Sequence, residues 1–219
     1  VIVGLLHPGE MGAAVGARVD AEVIVALDGR TEETRARAAA FRDAGSVDAL
    51  LAESELVLSI CPPHAALDVA RQCAGFAGVY VDANAISPMH AQEIAELHPR
   101  FVDGSIIGNP PEPTLYLSGA EAADVSTLFA LPTRVVSNAS AVKMVYAAWS
   151  KGTAAMLLAI RDTARHFGVE DEWQLAAPEL SERLARAEAS AATKGWRWVG
   201  EMEEIADTFA MAGEPEGFH

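Results

Sequence analysis

The chain has 219 residues, enough for one or two domains, and its 51% hydrophobic and 21% charged residues match an ordinary globular protein. Sixteen Lys and Arg against 31 Asp and Glu give a formal net charge of −15. Such a balance argues against nucleic-acid and anionic-membrane partners, both of which need a basic face. Two cysteines, Cys61 and Cys73, are too few for a disulfide framework and fit a cytoplasmic setting. No apolar run reaches the roughly 18–20 residues of a membrane span.

The chain opens directly on the strand-like "VIVGLL", without a basic flank, so no signal peptide is expected. Next come "EVIVAL", "LVLSIC" and "VYVDAN", short Val- and Ile-rich runs that read as buried parallel strands. Between them "EMGAAVGARV", "TEETRARAAAFRDA", "HAALDVARQCA" and "SPMHAQEIAEL" read as helices. Alternation of this kind predicts βαβ units with right-handed crossovers. Two further runs, at Phe101–Val102 and "LYLSG", can extend the sheet. From about Ala139 to Phe167 there is no proline and one glycine, which predicts a single long, buried helix. Everything after it also reads as helix. The expected organisation is a Rossmann-type, doubly wound, mainly parallel α/β domain over 1–137 and an all-α domain over 138–219.

The stretch "GLLHPGEMG" follows the first strand and opens a helix, as a dinucleotide-binding turn does. Gly9 and Gly12 stand at two positions of G-x-G-x-x-G, and His7 stands at the first. Taken alone, the loop fits a purely structural turn about as well. The second strand ends in "ALDGRT", about 20 residues on, where such domains read the adenosine ribose. Asp28 there suits a ribose diol, the NAD solution. Arg30 and Thr31 suit a 2′-phosphate, the NADP solution. Arg37 fits a solvated helix face.

With these elements in place, the chain resembles the β-hydroxyacid dehydrogenase superfamily, which includes 3-hydroxyisobutyrate dehydrogenases, 6-phosphogluconate dehydrogenases and imine reductases. "HPGEMG" is similar to the family's G-x-G-x-M-G, and "GRT" to its N-R-T. "SICPPH" matches the strand that leads to a proline at the nicotinamide pocket. "DANAISP" resembles D-x-S-T-x-x-P, with Asn84 and Ala85 at the Ser-Thr pair, and "FVDGSIIG" resembles the substrate loop D-A-P-V-S-G-G. "LLHPGEMG", "CPPHAALDVA" and "WRWVGEMEEIA" look closest to a bacterial 6-phosphogluconate-dehydrogenase-like group. This likeness tips the loop toward a cofactor site made by His7, Pro8, Gly9, Glu10, Met11 and Gly12. It adds Arg30, Thr31, Cys61, Pro62, Pro63 and Asn84 around an NADP, with NAD as the alternative.

The same resemblance implies that Lys143 is the proton donor or acceptor. A lysine's ordinary pKa of about 10.4 must fall for that work near neutrality, which desolvation can achieve. Tyr146 and Ser150, three and seven residues on, are expected on the same helix face. Tyr146 stands where the dehydrogenases carry a substrate-binding asparagine, and either donates a proton or binds substrate. Ile107 replaces a carboxylate-gripping serine beside Gly108, and Gly200–Glu201 replaces a Lys-Asp pair beside cofactor and substrate. Substrate contacts are therefore expected from Ile107, Gly108, Ser150 and Glu201, and a bulkier or less anionic substrate than a small hydroxy acid. Of Trp196 and Trp198, at most one is expected to reach the cleft. No metal site is expected. The leading expectation is an NADP-dependent oxidoreductase acting on a small-molecule alcohol or carbonyl, as a homodimer. Imine reduction is the chemical alternative, and a non-catalytic nucleotide-binding protein is the rival class.

Overall fold

The computed structural model describes residues 1–216. Its contacts divide the chain into two units, Val1–Lys143 and Met144–His219.

The first unit is an eight-stranded sheet with helices. In chain order it runs β1 (Ile2–Leu5), α1 (Glu10–Gly16), β2 (Glu22–Val25), α2 (Glu32–Arg37), β3 (Arg42–Asp43), α3 (Val47–Glu53) and β4 (Leu56–Ser59). Then come α4 (Ala66–Gln72), β5 (Val79–Asp82), α5 (Pro88–Leu97), β6 (Phe101–Ile107), β7 (Thr114–Ser118), α6 (Ala122–Ser126) and β8 (Thr133–Val135). The sheet order is β3-β2-β1-β4-β5-β6-β7-β8. Every neighbouring pair is parallel except β6 and β7, which run antiparallel with Asp103 opposite Ser118. This is the expected Rossmann-type α/β architecture.

Because side chains alternate along a strand, the apolar runs feed two cores, one on each face of the sheet. Ile24, Val57 and Tyr80 point into one core with Leu6, Leu50 and Ile94. Their neighbours Val25, Leu58 and Val81 point into the other, with Leu115 and Leu117. Such strands have no solvent face, which is why their sequences read as unbroken Val, Ile and Leu.

The segment after Arg30 departs from the sequence reading. It was expected to stay helical to Ala44, but the helix stops at Arg37 and the chain adds the two-residue edge strand β3. The physical signal is the edge itself: Arg42 bridges Glu22 at 2.7 Å and Glu53 at 2.8 Å, a pattern of pairing that no helical periodicity reveals. Helix α3, capped by Ser46, and the short strand β8 were also unforeseen.

The helical stretch that begins at α7 (Ala139–Ala147) passes through a π-helical turn, Ala148–Gly152, into α8 (Thr153–Phe167). In the second unit, α9 (Glu170–Ala176), α10 (Leu180–Lys194) and α11 (Trp198–Met211) follow. Arg161 ties α8 to α10 through Glu188 at 2.5 Å. The expectation that the long helix is buried is corrected in this single chain. Trp149 is 66% and Phe167 71% exposed, because so small a unit has too few helices to wrap every side of it. An open apolar groove of about 350 Å³ lies on α8 and α9, lined by Met156, Ile160, Phe167, Val169 and Trp173. Trp198 is buried and Trp196 exposed, opposite sides for residues two apart. Among the described residues no helix is long and apolar enough to cross a membrane.

Candidate functional site

In this sheet order β2 and β3 leave β1 on one side, while β4, β5 and β6 lie on the other. Ligands of doubly wound sheets settle outside the carboxyl ends of the strands at that reversal. The sequence-predicted positions of the first unit all lie along this carboxyl edge: His7–Gly12 after β1, Arg30 and Thr31 after β2, Cys61–Pro63 after β4, Asn84 after β5, and Ile107–Gly108 at the end of β6.

The loop after β1 is tight. Gly9 N donates to His7 O at 2.8 Å, Pro8 is buried and Met11 packs onto the sheet core. The two glycines differ in how packing constrains them. A Cβ at Gly12 would collide with the carbonyl oxygen of His7, so Gly12 is required by the protein's own packing. A Cβ at Gly9 would meet nothing within 4 Å. No internal contact requires glycine there. Glu10 is exposed as the first residue of α1.

Arg30 turns back toward this loop and donates through Nη2 to Leu6 O at 3.3 Å. Arg35 braces the same turn, donating to Arg30 O at 3.2 Å and Leu27 O at 2.5 Å. Thr31 caps α2, its hydroxyl accepting from Thr34 N at 3.3 Å, so part of its capacity serves the helix. Arg37 pairs with Glu33 on an exposed helix face. His7 is mostly buried, and its Nδ1 is sealed from solvent with no hydrogen-bond partner. Burial first, then the Arg30 charge, lower its pKa to about 4, so the ring is neutral at neutral pH.

At β4 and β5 the side chain of Asn84 straps the strand ends together. Cys61 N donates to its Oδ1 at 2.5 Å, and its Nδ2 donates to Ser59 Oγ at 3.1 Å and Asp82 Oδ2 at 2.8 Å. Asn84 is thus committed to the scaffold and shapes the Cys61–Pro63 turn. Burial, then the Asp82 carboxylate, push the Cys61 thiol up to about 12, which removes it as a nucleophile near neutrality.

Lys143 arrives from α7, and its Nζ donates to Ile106 O at 2.7 Å. The structure thereby brings the predicted proton-transfer residue beside the predicted substrate positions Ile107 and Gly108. Gly108 has φ +110°, a backbone that strongly favours glycine, and carries the chain away from β6. What fixes Lys143 is a residue the sequence reading did not single out. Asp103 Oδ2 accepts from Ser118 Oγ at 2.8 Å, Ser140 N at 2.9 Å and Ser140 Oγ at 3.3 Å. Ser118 Oγ accepts in turn from Ala139 N at 2.9 Å, and Ser105 donates to Ala139 O at 2.8 Å. The first turn of α7 is therefore bolted to β6 and β7. Burial raises the Asp103 pKa, against these hydrogen bonds, which lower it.

Tyr146 lies one turn beyond Lys143 and is exposed. The expected alignment of Ser150 with Lys143 is corrected by the wider turn at Ala148–Gly152, which breaks regular helix spacing. Ser150 Oγ donates instead to Tyr146 O at 2.9 Å. Glu201 is held by an ion pair with Lys151, a lysine from that same turn that the sequence reading passed over.

A family model described as "Domain of unknown function (DUF1932)" matches residues 164–219. An uncharacterized 28.5 kDa protein in the 7S RNA 5′ region of Methanothermus fervidus is 29% identical over 184 residues, 78% of this chain and 73% of that protein. Conserved protein MTH1747, whose structure is described as similar to 3-hydroxyacid dehydrogenases, is 26% identical with a TM-score of 0.74, over 98% of this chain and 92% of that one. The fold is that of the β-hydroxyacid dehydrogenase-like superfamily. A 3-hydroxyisobutyrate dehydrogenase from Salmonella typhimurium shares it at 17% identity, with a TM-score of 0.68 and coverage of 98% and 88%. So does a reductive aminase from Aspergillus terreus solved with NADPH and ethyl levulinate, at 19% identity, TM-score 0.61 and coverage of 97% and 87%.

Two expectations follow from the site's own geometry. Gly12→Ala will lower the thermal midpoint, since its methyl meets a backbone oxygen, whereas Gly9→Ala will leave the midpoint unchanged; equal midpoints for both would contradict the packing. Asp103→Ala strands the Ser140 N–H and will cost about 1–3 kcal/mol in denaturant unfolding. Asp103→Asn, which keeps an acceptor oxygen in place, will cost much less; equal losses would refute the single-oxygen account.

Proposed function

We propose that this protein is an NADP-dependent oxidoreductase that interconverts a small-molecule alcohol and its carbonyl. The observation that carries the reading is the convergence of Lys143 on the carboxyl end of β6, on the same sheet edge as the Gly9 loop and Arg30. The open space beside Gly9 is compatible with a bound group at that loop. A nicotinamide dinucleotide, when bound, supplies or accepts the hydride.

The chain's own residues divide the remaining work. Gly9, with Glu10, Met11 and Gly12 behind it, admits the pyrophosphate at the backbone, while Arg30 and Thr31 address the 2′-phosphate as charge-assisted and neutral donors. Cys61, Pro62 and Pro63, locked by Asn84, form the wall after β4. Lys143 Nζ, anchored to Ile106 O, gives a proton to the substrate oxygen on reduction and takes it back on oxidation. Ile107 gives the substrate an apolar neighbour, and Tyr146, three residues beyond Lys143 on the same helix, bears on substrate choice. Imine reduction is the second reading. It is favoured by the exposed Tyr146, a phenol that can donate the proton itself, and by the fold shared with a reductive aminase.

Substitution separates these roles. Lys143→Ala will lower turnover by about 10²–10⁴-fold, the usual range for a lost acid–base group, with cofactor affinity nearly intact. Tyr146→Phe will act mainly on KM. NADPH oxidation across a panel of carbonyls and cyclic imines is the assay. A reversal of the two effects favours the imine reading, and turnover untouched by either would place the chemistry elsewhere.

We also propose a homodimer formed through the helical unit, supported by the apolar side chains that α8 and α9 expose. Sedimentation at micromolar concentration will give a dimer, and a monomer there would contradict the proposal.

A further inference from the structure

The residue that breaks the glycine pattern has a chemistry of its own. His7 leaves β1 with its carbonyl engaged by Gly9 N. Its Nδ1 is enclosed without a partner, and the charged group acting on the ring is Arg30, which reaches back from the turn after β2 to Leu6 O. A neutral imidazole carries one proton, on one nitrogen or the other. Placed on Nδ1, that proton would be a buried donor with nothing to accept it, beside a guanidinium. Placed on Nε2, it leaves Nδ1 an acceptor lone pair, which the Arg30 field stabilises. The proton therefore belongs on Nε2, the nitrogen that is not sealed in. Burial and Arg30 together keep a second proton off at neutral pH.

We propose that His7 is a specificity-determining residue of the dinucleotide site, a tautomer-locked neutral donor whose Nε2–H bonds the same 2′-phosphate that Arg30 pairs with. This rests on the cofactor reading above. Arg30 spends one of a guanidinium's five N–H groups on Leu6 O and keeps others for the phosphate. A doubly charged phosphate accepts several donors at once, whereas a ribose hydroxyl gains no ion pair from Arg30. A second cation at His7 would be disfavoured before the phosphate arrives, and a neutral ring adds a hydrogen bond without that repulsion. On this account the loop exchanges the first glycine of G-x-G-x-x-G for selectivity toward the phosphorylated cofactor.

The test is calorimetric titration at pH 7.5 of NADPH, NADH, 2′-phospho-ADP-ribose and ADP-ribose into the wild type, His7→Phe, His7→Gln and Arg30→Ala, with thermal midpoints measured alongside. His7→Phe will weaken the two 2′-phosphorylated ligands by about tenfold, the loss expected for one hydrogen bond to a charged acceptor. It will change the other two less than about twofold, and His7→Gln, which restores an N–H donor, will recover most of the loss. Arg30→Ala will reduce the preference for the phosphorylated ligands further. In the free protein, ¹⁵N NMR will show a neutral His7 ring protonated at Nε2. Equal weakening of all four ligands by His7→Phe, no weakening at all, or an Nδ1–H tautomer would each overturn the proposal. Failure of the wild type to bind any of the four would refute the cofactor reading and the role of His7 with it. Binding that His7→Phe leaves untouched refutes only the latter.

Discussion

A parallel strand must release the chain at its carboxyl end into a crossover, and at β1 the crossovers to the two halves of the sheet diverge. The backbone at that reversal cannot be paired by either half. Most side chains that reach it come from the loops that follow the strand ends, and Lys143 comes from α7. The remaining features of the first unit answer to this constraint. Gly12 lets α1 start within contact of the His7 carbonyl, Asn84 holds the β4 and β5 ends at a fixed spacing, and Arg35 steadies the turn that carries Arg30. The apolar cores on both faces keep the strands from shifting, so the edge is a rigid frame for whatever binds there.

The proposed proton-transfer residue, Lys143, sits at the far end of the same edge. A lysine on a free helix would point its ammonium into water. Here a single carboxylate oxygen, Asp103 Oδ2, gathers Ser118 and Ser140 and fixes the first turn of α7, and Lys143 one turn later meets Ile106 O. Burying a carboxylate is costly, and its raised pKa reflects that; the donors around it offset the cost and convert it into positional precision. Asp103 does not touch the reacting atoms in this account. It is a positioning residue.

Much of this was legible in the sequence because it is local. Strand–helix alternation exposed the sheet, the resemblance more than the glycine spacing pointed to the loop, and the distance from loop to Arg30 follows from one βα unit. Lys143 was legible through resemblance alone, since a lysine in an apolar helix reads equally well as a surface residue. What escaped is non-local or breaks a period. Asp103 finds Ser118 and Ser140, 15 and 37 residues away, and Lys151 finds Glu201 across 50 residues. The strand β3 is too short for any alternation to register. The π turn carries no composition signal, yet it alone removes Ser150 from its expected alignment. Gly9 and Gly12 look identical as letters, and only the space around each shows that packing constrains Gly12 and not Gly9.

The central claim is that the carboxyl edge around Gly9 and Cys61 receives a nicotinamide dinucleotide. Hydrogen exchange of the full chain with and without saturating NADPH tests it most directly. The account predicts slowed exchange at the amides of Gly9 to Gly12 and around Cys61, with the amides of α9 and α10 unchanged. Unaltered exchange along the whole carboxyl edge, at a concentration of NADPH well above any working affinity, would contradict it.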